Sequence, residues 1–556
     1  MNDIPRPEHP NPQWQRESWL NLNGQWCFCV NEKGREVGSE ITVPFCPESA
    51  LSGIGKKEFM KRVWYRRKIE LSAEQLRGRV LLHFGAADYL ATLWVNHKEI
   101  GRHEGGYTPF SFDITQDVQE GENEIALSCD DDTRDPLVCS GKQSERRDSY
   151  GCMYTRTTGI WQTVWLEFLP RAYIRSAVYQ PDPENACLHI RASVAHGRGE
   201  GMLRVTAFWQ GRAVGSASAR VSGDAVRLTL PLSETHLWEV GRGGLYGLEL
   251  FFGEDLVRSY FGLRSLRLEG HKFLLNGKSV FQRLVLDQGF YPDGIYTAPT
   301  AEALENDIKL SMAAGFNGAR LHEKVFEPLF LYYCDKLGYL AWGEFPNWGG
   351  DTANPALLHK LLPQWCEALE RDRNHPAIVG WCPFNETHDG QYAETLRVVY
   401  ETTKRLDPTR PCIDTSGYVH VATDIFCVHD YEQDPAKLAA HYAKFDEEFH
   451  DSKRGCGYQP GQPMFVSEYG GIAWGNAEGW NWGYGAWPKD EAEFKSRYEA
   501  LTNALLDHPK MFAFCYTQLT DVEQERNGIY TYARQPKFDV EFFHRVNTRK
   551  AAIEED

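Results

Sequence analysis

The 556-residue chain lacks most of what would tie it to a nucleic acid, a membrane or a disulfide scaffold. It has no surplus of positive charge: 60 Lys and Arg stand against 77 Asp and Glu, a net charge of −17, and no basic run stands out. Nucleic acid and anionic membrane are therefore not expected as partners. No apolar run is long enough to cross a bilayer. The opening residues, MNDIPRPEHPNPQWQRESW, lack the basic and apolar regions of a signal peptide, so a cytoplasmic location is expected. There is no CxxC pair either. Fourteen cysteines are scattered singly from Cys27 to Cys515, away from histidine clusters, which reads as reduced thiols in cores rather than disulfides or zinc ligands. No metal site and no cofactor are read from the sequence.

What is present is length and aromatic side chains. A chain this long exceeds one hydrophobic core several times over, so two to four domains are expected. Aromatics make up 13% of it, including 17 Trp and 26 Tyr. Such rings suit β-rich cores and also the apolar faces of sugars. Up to about residue 262 helical periodicity is nearly absent. Short alternating runs such as RVLLHFG, TVWLEFL and RVTAFWQG are separated by turn signals, which predicts β-sandwiches, with a break between 170 and 180. After the Asn276-Gly277 turn, strands alternate with helices: TAEALENDIKLSMAAG leads to FNGARLH, FEPLFLYYCDKLG to YLAWGEFP, and LLHKLLPQWCEALERDRNHP to AIVGWCPFNE. Repeated βα units of this kind predict a (β/α)8 barrel.

In such a barrel the chemistry lies at the carboxyl ends of the strands. Several predicted strands end on polar groups: Asp287, Arg320 and His322, Glu344, Asn385 and Glu386, His429 and Tyr431, Glu468 and Tyr469, Gln518 and Asp521. One such residue could be a rim salt bridge or a helix cap; a set converging on one rim is hard to explain that way. Glu386 in GWCPFNETHDG and Glu468 in PMFVSEYGG can face each other across a pocket. Retaining glycoside hydrolysis needs this pair, one carboxyl to protonate the leaving oxygen and one to attack the anomeric carbon, roughly 5 to 5.5 Å apart.

Those two segments resemble the acid/base and nucleophile segments of glycoside hydrolase family 2, the family of β-galactosidases, β-glucuronidases and β-mannosidases. LNLNGQWCFCV, VWYRRKIEL, GGYTPFSFDIT and YTRTTGIWQTVWLE resemble its amino-terminal jelly roll, and LNGKSVFQR its entry into the barrel. The resemblance implies a multidomain chain: an N-terminal jelly roll over 1–172, an immunoglobulin-like β-sandwich over 173–264 and a catalytic TIM barrel over 265–556. It implies Glu386 as general acid/base and Glu468 as nucleophile. Asn385 falls where relatives bind the sugar 2-hydroxyl, Tyr431 where a tyrosine contacts the nucleophile, and His322 where a rim histidine contacts the sugar. Asp287 and Glu344 are candidates for binding ring hydroxyls. His375, at the far end of its strand, is expected to be structural.

The pattern departs from the family in the part of the pocket that selects the sugar. Uronide-cleaving relatives carry Asn-x-Lys, and the lysine holds the substrate carboxylate; here Glu525 and Asn527 fall at the matching places, with Arg526 between them as a possible substitute cation. Tyr516 stands where relatives have a sugar-stacking Trp. The expected activity is thus a retaining exo-β-glycosidase of β-galactosidase type acting on a carbohydrate. The alternatives are a β-glucuronidase, β-galacturonidase or pentosidase of the same family, or a binding protein that has lost turnover. A homo-oligomer is possible by the resemblance.

Overall fold

The computed structural model describes residues 4–30, 38–195, 201–444, 457–475 and 481–554. The N-terminal part is two antiparallel sheets packed face to face. One has six strands, with Arg62–Leu71 and Gly121–Asp130 central; the other has four, with Val164–Leu169 and Arg79–Phe84 central. Alternation does the building: in RVLLHF every second residue is buried, so each strand gives one face to a core containing Trp26, Val63, Leu82, Phe84, Leu127 and Leu166. A second sandwich follows, of three strands and four, with its own core around Ile190, Val205, Tyr246 and Leu250.

The remainder is the barrel. Its parallel strands are β1 (Gln282–Asp287), β2 (Gly318–Leu321), β3 (Leu340–Glu344), β4 (Ile378–Cys382), β5 (Phe426–Asp430), β6 (Met464–Tyr469) and β7 (Met511–Tyr516), paired in the order β4-β3-β2-β1-β7-β6-β5. All residues of β1, β2, β4, β6 and β7 are buried, as expected when helices cover the outside and side chains fill the inside. The helices carry the expected punctuation. Thr300 caps Ala301–Ala313 by accepting from the Ala303 amide, and Gly338, at φ 70°, ends Pro328–Leu337. Between β4 and β5 the remaining stave is reduced to isolated bridges, Trp381 to Cys412 and Asn385 to Ser416. There the Asp414 carboxylate accepts from the amides of Thr415, Val421 and Ala422, which holds the segment as a loop. No helix among the described residues is long and apolar enough to cross a membrane.

One contact between domains matters for the site. Loop 139–158 of the N-terminal part lies on the carboxyl end of the barrel. The Ser140 and Gly141 amides donate to the Trp348 carbonyl at 2.7 and 3.0 Å, Thr155 Oγ1 donates to Glu523, and Gln524 donates to the carbonyls of Gly151 and Met153.

Candidate active site

Glu386 follows β4 and Glu468 lies in β6, and both open at the same end of the barrel. An oxygen of Glu386, an oxygen of Glu468 and a nitrogen of His429 all lie within 4.8 Å of one another. Glu386 has φ 53°, the left-handed region that a non-glycine residue adopts at a cost. Its amide donates to the Ser416 carbonyl at 2.8 Å, which helps hold that turn.

Glu468 is buried, with both oxygens engaged: Arg320 Nη1 donates to Oε1 at 2.9 Å and the Tyr431 hydroxyl donates to Oε2. Burial opposes ionisation, but His429, Arg320 and His322, with the Tyr431 hydroxyl, outweigh it and hold the carboxyl well below the usual range. Tyr431 is held in turn by Tyr484, stacked on it with ring centroids 3.4 Å apart and 5° between planes. The glycines after Tyr469 are explained by these rings, since a Cβ at Gly470 would meet Tyr516 and one at Gly471 would meet Tyr484. Tyr431→Phe removes one charge-assisted hydrogen bond from the nucleophile and should lower kcat by roughly 10- to 100-fold with the fold retained, as read by steady-state kinetics.

Glu386 is bound to His429, whose Nδ1 lies 2.7 Å from Oε1. A chain of hydroxyls holds the ring from behind. Ser467 Oγ donates to the Val428 carbonyl and Ser416 Oγ donates to Ser467 Oγ, so Ser416 Oγ can only accept from His429 Nε2, 2.9 Å away. On its other side Nδ1 lies 3.4 Å from Glu468 Oε2 as well, so the ring stands between the two carboxyls and orients both.

Arg320 organises the floor. Fully buried, it donates Nε to Glu344 at 2.6 Å, Nη1 to Glu468 and Nη2 to Asn385 Oδ1 at 3.0 Å. Asn385 is thereby fixed with its amide oxygen towards Arg320. Its Nδ2 is buried without a partner among the described residues, a donor left for a ligand hydroxyl. His322 Nδ1 lies 3.1 Å from Glu344, and burial lowers its pKa in spite of that partner.

Other expectations need correction. Glu344 is spent on Arg320 and His322, which hold it ionised against the cost of burial, so it orients those groups and offers no free oxygen to a sugar. Asp287 turns to the Gly289 amide; burial and then Asp307 raise its pKa to about 6, in the field of Arg534 and Lys324 rather than beside the two glutamates. Tyr516 is fully buried, edge-on to Tyr469 and Tyr498, and cannot stack on a sugar. Arg526 cannot replace the missing lysine, because its guanidinium lies 3.6 Å from Asp521. His375 is structural, as expected: its Nδ1 is 2.6 Å from Asp335. Glu525 does face the site. It accepts from Asn527 Nδ2 at 3.0 Å and from the hydroxyl of Tyr154, a residue of the N-terminal part, and burial raises its pKa.

The sequence reading gave no role to Arg320 or His429, although both stood among the polar strand ends, and it missed Lys142. The Lys142 ammonium lies 3.7 Å from the centroid of the Trp348 ring, whose indole N–H donates to the Asn385 carbonyl at 3.2 Å. Burial opposes its charge, but Cys152, Glu525, Glu386 and Glu468 outweigh burial and raise its pKa, so it is cationic.

Residues 266–537 match the TIM barrel domain of the glycosyl hydrolases family 2, and residues 51–166 match that family's sugar binding domain. A β-glucuronidase of Paenibacillus borealis is 23% identical, over 93% of this chain and 94% of its own. A β-galactosidase of Pseudoalteromonas haloplanktis is 25% identical, over 75% of this chain but 44% of its own. Among solved structures, the β-glucuronidase of Dictyoglomus thermophilum superposes with a TM-score of 0.80 at 20% identity, covering 97% of this chain and 98% of that one.

Proposed function

The chain belongs to glycosyl hydrolase family 2, and from that premise we propose that it is a retaining exo-β-glycosidase that releases a terminal β-linked hexuronic acid, the β-glucuronidase type of reaction. The observation that carries the reaction is the pair of carboxyls within 4.8 Å, one held ionised by its neighbours and one hydrogen-bonded to His429. Glu468 attacks the anomeric carbon while Glu386 gives its proton to the leaving oxygen. Water then hydrolyses the glycosyl-enzyme ester, with Glu386 now taking the proton. Asn385 Nδ2 suits the sugar 2-hydroxyl, where a bond that tightens in the transition state lowers the barrier.

The sequence put a β-galactoside first. Two observations favour a uronide instead. The β-glucuronidase from Paenibacillus borealis matches over nearly all of both chains, whereas the β-galactosidase match covers less than half of that relative. The pocket also holds a cation, Lys142, that no described carboxylate contacts. One observation favours a neutral sugar: Glu525 occupies the wall where the uronide pattern has Asn. A panel of nitrophenyl β-glycosides tests the choice. Release from the β-glucuronide above all others is expected, and release from the β-galactoside alone would overturn the uronide reading.

A further inference from the structure

We propose that Lys142, carried by the N-terminal domain, binds the carboxylate of the substrate sugar and selects uronides; this rests on the uronide reading above. The lysine is largely buried, its ammonium over the ring of Trp348 and in the field of Cys152, Glu525 and the two catalytic glutamates, yet that group makes no hydrogen bond or ion pair with any described residue. An ammonium has three donors, and here the protein uses none of them, leaving them to whatever enters the pocket. The ring of Trp348 offers the charge a face but no acceptor.

Other nearby cations are already engaged. Arg320 is shared among Glu344, Glu468 and Asn385, Lys324 donates to the carbonyls of Gly289 and Tyr296, Lys537 to Asp521, and Arg526 lies against Asp521. Glu525 interacts with Lys142 through space, while its own oxygens take the Tyr154 hydroxyl and the Asn527 amide. Among the described residues Lys142 is thus the cation left for an incoming carboxylate, and it stands at the selecting wall where the barrel itself supplies Glu525 and Asn527.

The lysine is held firmly enough to discriminate. Its carbonyl accepts from the Tyr154 amide at 2.7 Å, and the neighbouring Gln143 donates to Asp88 at 2.9 Å. Gly141 before it has φ 58°, and a Cβ there would lie 2.6 Å from the Glu323 carbonyl oxygen, so the loop approaches the barrel as closely as glycine allows. A sugar carboxylate would meet a pre-placed charge rather than a mobile surface lysine.

The test is Lys142→Met with Lys142→Arg beside it, measured on p-nitrophenyl β-D-glucuronide and by the inhibition constants of D-glucuronate and D-glucose. For Lys142→Met, kcat/KM on the glucuronide should fall and the D-glucuronate constant rise by about 100-fold, with the D-glucose constant moving less than about threefold and Lys142→Arg recovering most of the loss. Equal weakening of D-glucuronate and D-glucose would mean a structural role and overturn the proposal. So would glucuronide cleavage by Lys142→Met within about threefold of wild type, which leaves the uronide reading standing. Failure of the unmodified enzyme to cleave any uronide would instead remove that reading and this proposal together.

Discussion

Glu468→Gln abolishes turnover, by at least about 10⁴-fold in kcat on any accepted glycoside, while the far-ultraviolet circular dichroism stays that of the parent. The loss is large because no neighbour can stand in. His429 is bound to Glu386 and Ser416, and Tyr431 is a phenol whose pKa burial, then Glu468, drives far above its ordinary value, so neither is a nucleophile. The fold should survive because Arg320, freed from one charge, keeps Glu344 and Asn385, and the amide retains an oxygen that can accept from it. Removing the side chain altogether, in Glu468→Gly, opens room for a small anion. Azide should then restore measurable turnover and give the α-glycosyl azide, since it enters from the face the carboxylate occupied. Turnover near wild type in Glu468→Gln would show that the nucleophile is another residue.

Glu386→Ala is expected to fall unevenly. A leaving group that departs readily as an anion needs no proton, so hydrolysis of a dinitrophenyl glycoside should retain its first step. An alkyl glycoside should lose about 10²- to 10⁴-fold. Because the same group activates water in the second step, the glycosyl-enzyme should accumulate on the activated substrate and show a burst of dinitrophenol. Azide should accelerate that variant and give the β-glycosyl azide, the opposite anomer to that from Glu468→Gly. Uniform loss across leaving groups would assign Glu386 to binding or structure. The hydrogen bond between Glu386 and His429 Nδ1 gives the acid its orientation at 2.7 Å, and the serine pair behind the ring holds that nitrogen towards it.

Much of this was legible in the sequence because it is local. Alternation in RVLLHF and its neighbours announced the N-terminal sheets, and the change to strand-helix alternation after Asn276-Gly277 announced the barrel. Glu386, Asn385, Glu468 and Tyr431 were legible because strand ends in a barrel share one rim, so three segments far apart in sequence could be placed together without coordinates. Tyr516 was misread for a related reason: a terminal strand residue can face the mouth or turn behind the next strand, and the packing of Tyr469 and Tyr498 decides which. Glu344 and Asp287 looked like sugar ligands, and their actual partners, Arg320 and the Gly289 amide with its surrounding charges, are choices of rotamer that spacing does not encode. Lys142 was out of reach altogether. Nothing in SGKQSERRDSY distinguishes one lysine from a solvated turn; its burial depends on loop 139–158 lying against Trp348 and residues 523–525, a contact between domains.

The central claim is that Glu468 forms a covalent bond to the sugar while Glu386 faces it across the anomeric carbon. Incubation with a 2-deoxy-2-fluoro-β-glycosyl fluoride of the accepted sugar, followed by proteolysis and mass spectrometry, tests it directly, because the 2-fluorine slows both steps through their oxocarbenium-like transition states while the fluoride leaving group speeds formation of the ester alone, so the ester accumulates. The account predicts one sugar per chain, attached at Glu468 and released on adding a glycosyl acceptor. A label on any other residue, or inactivation without a covalent adduct, would contradict it.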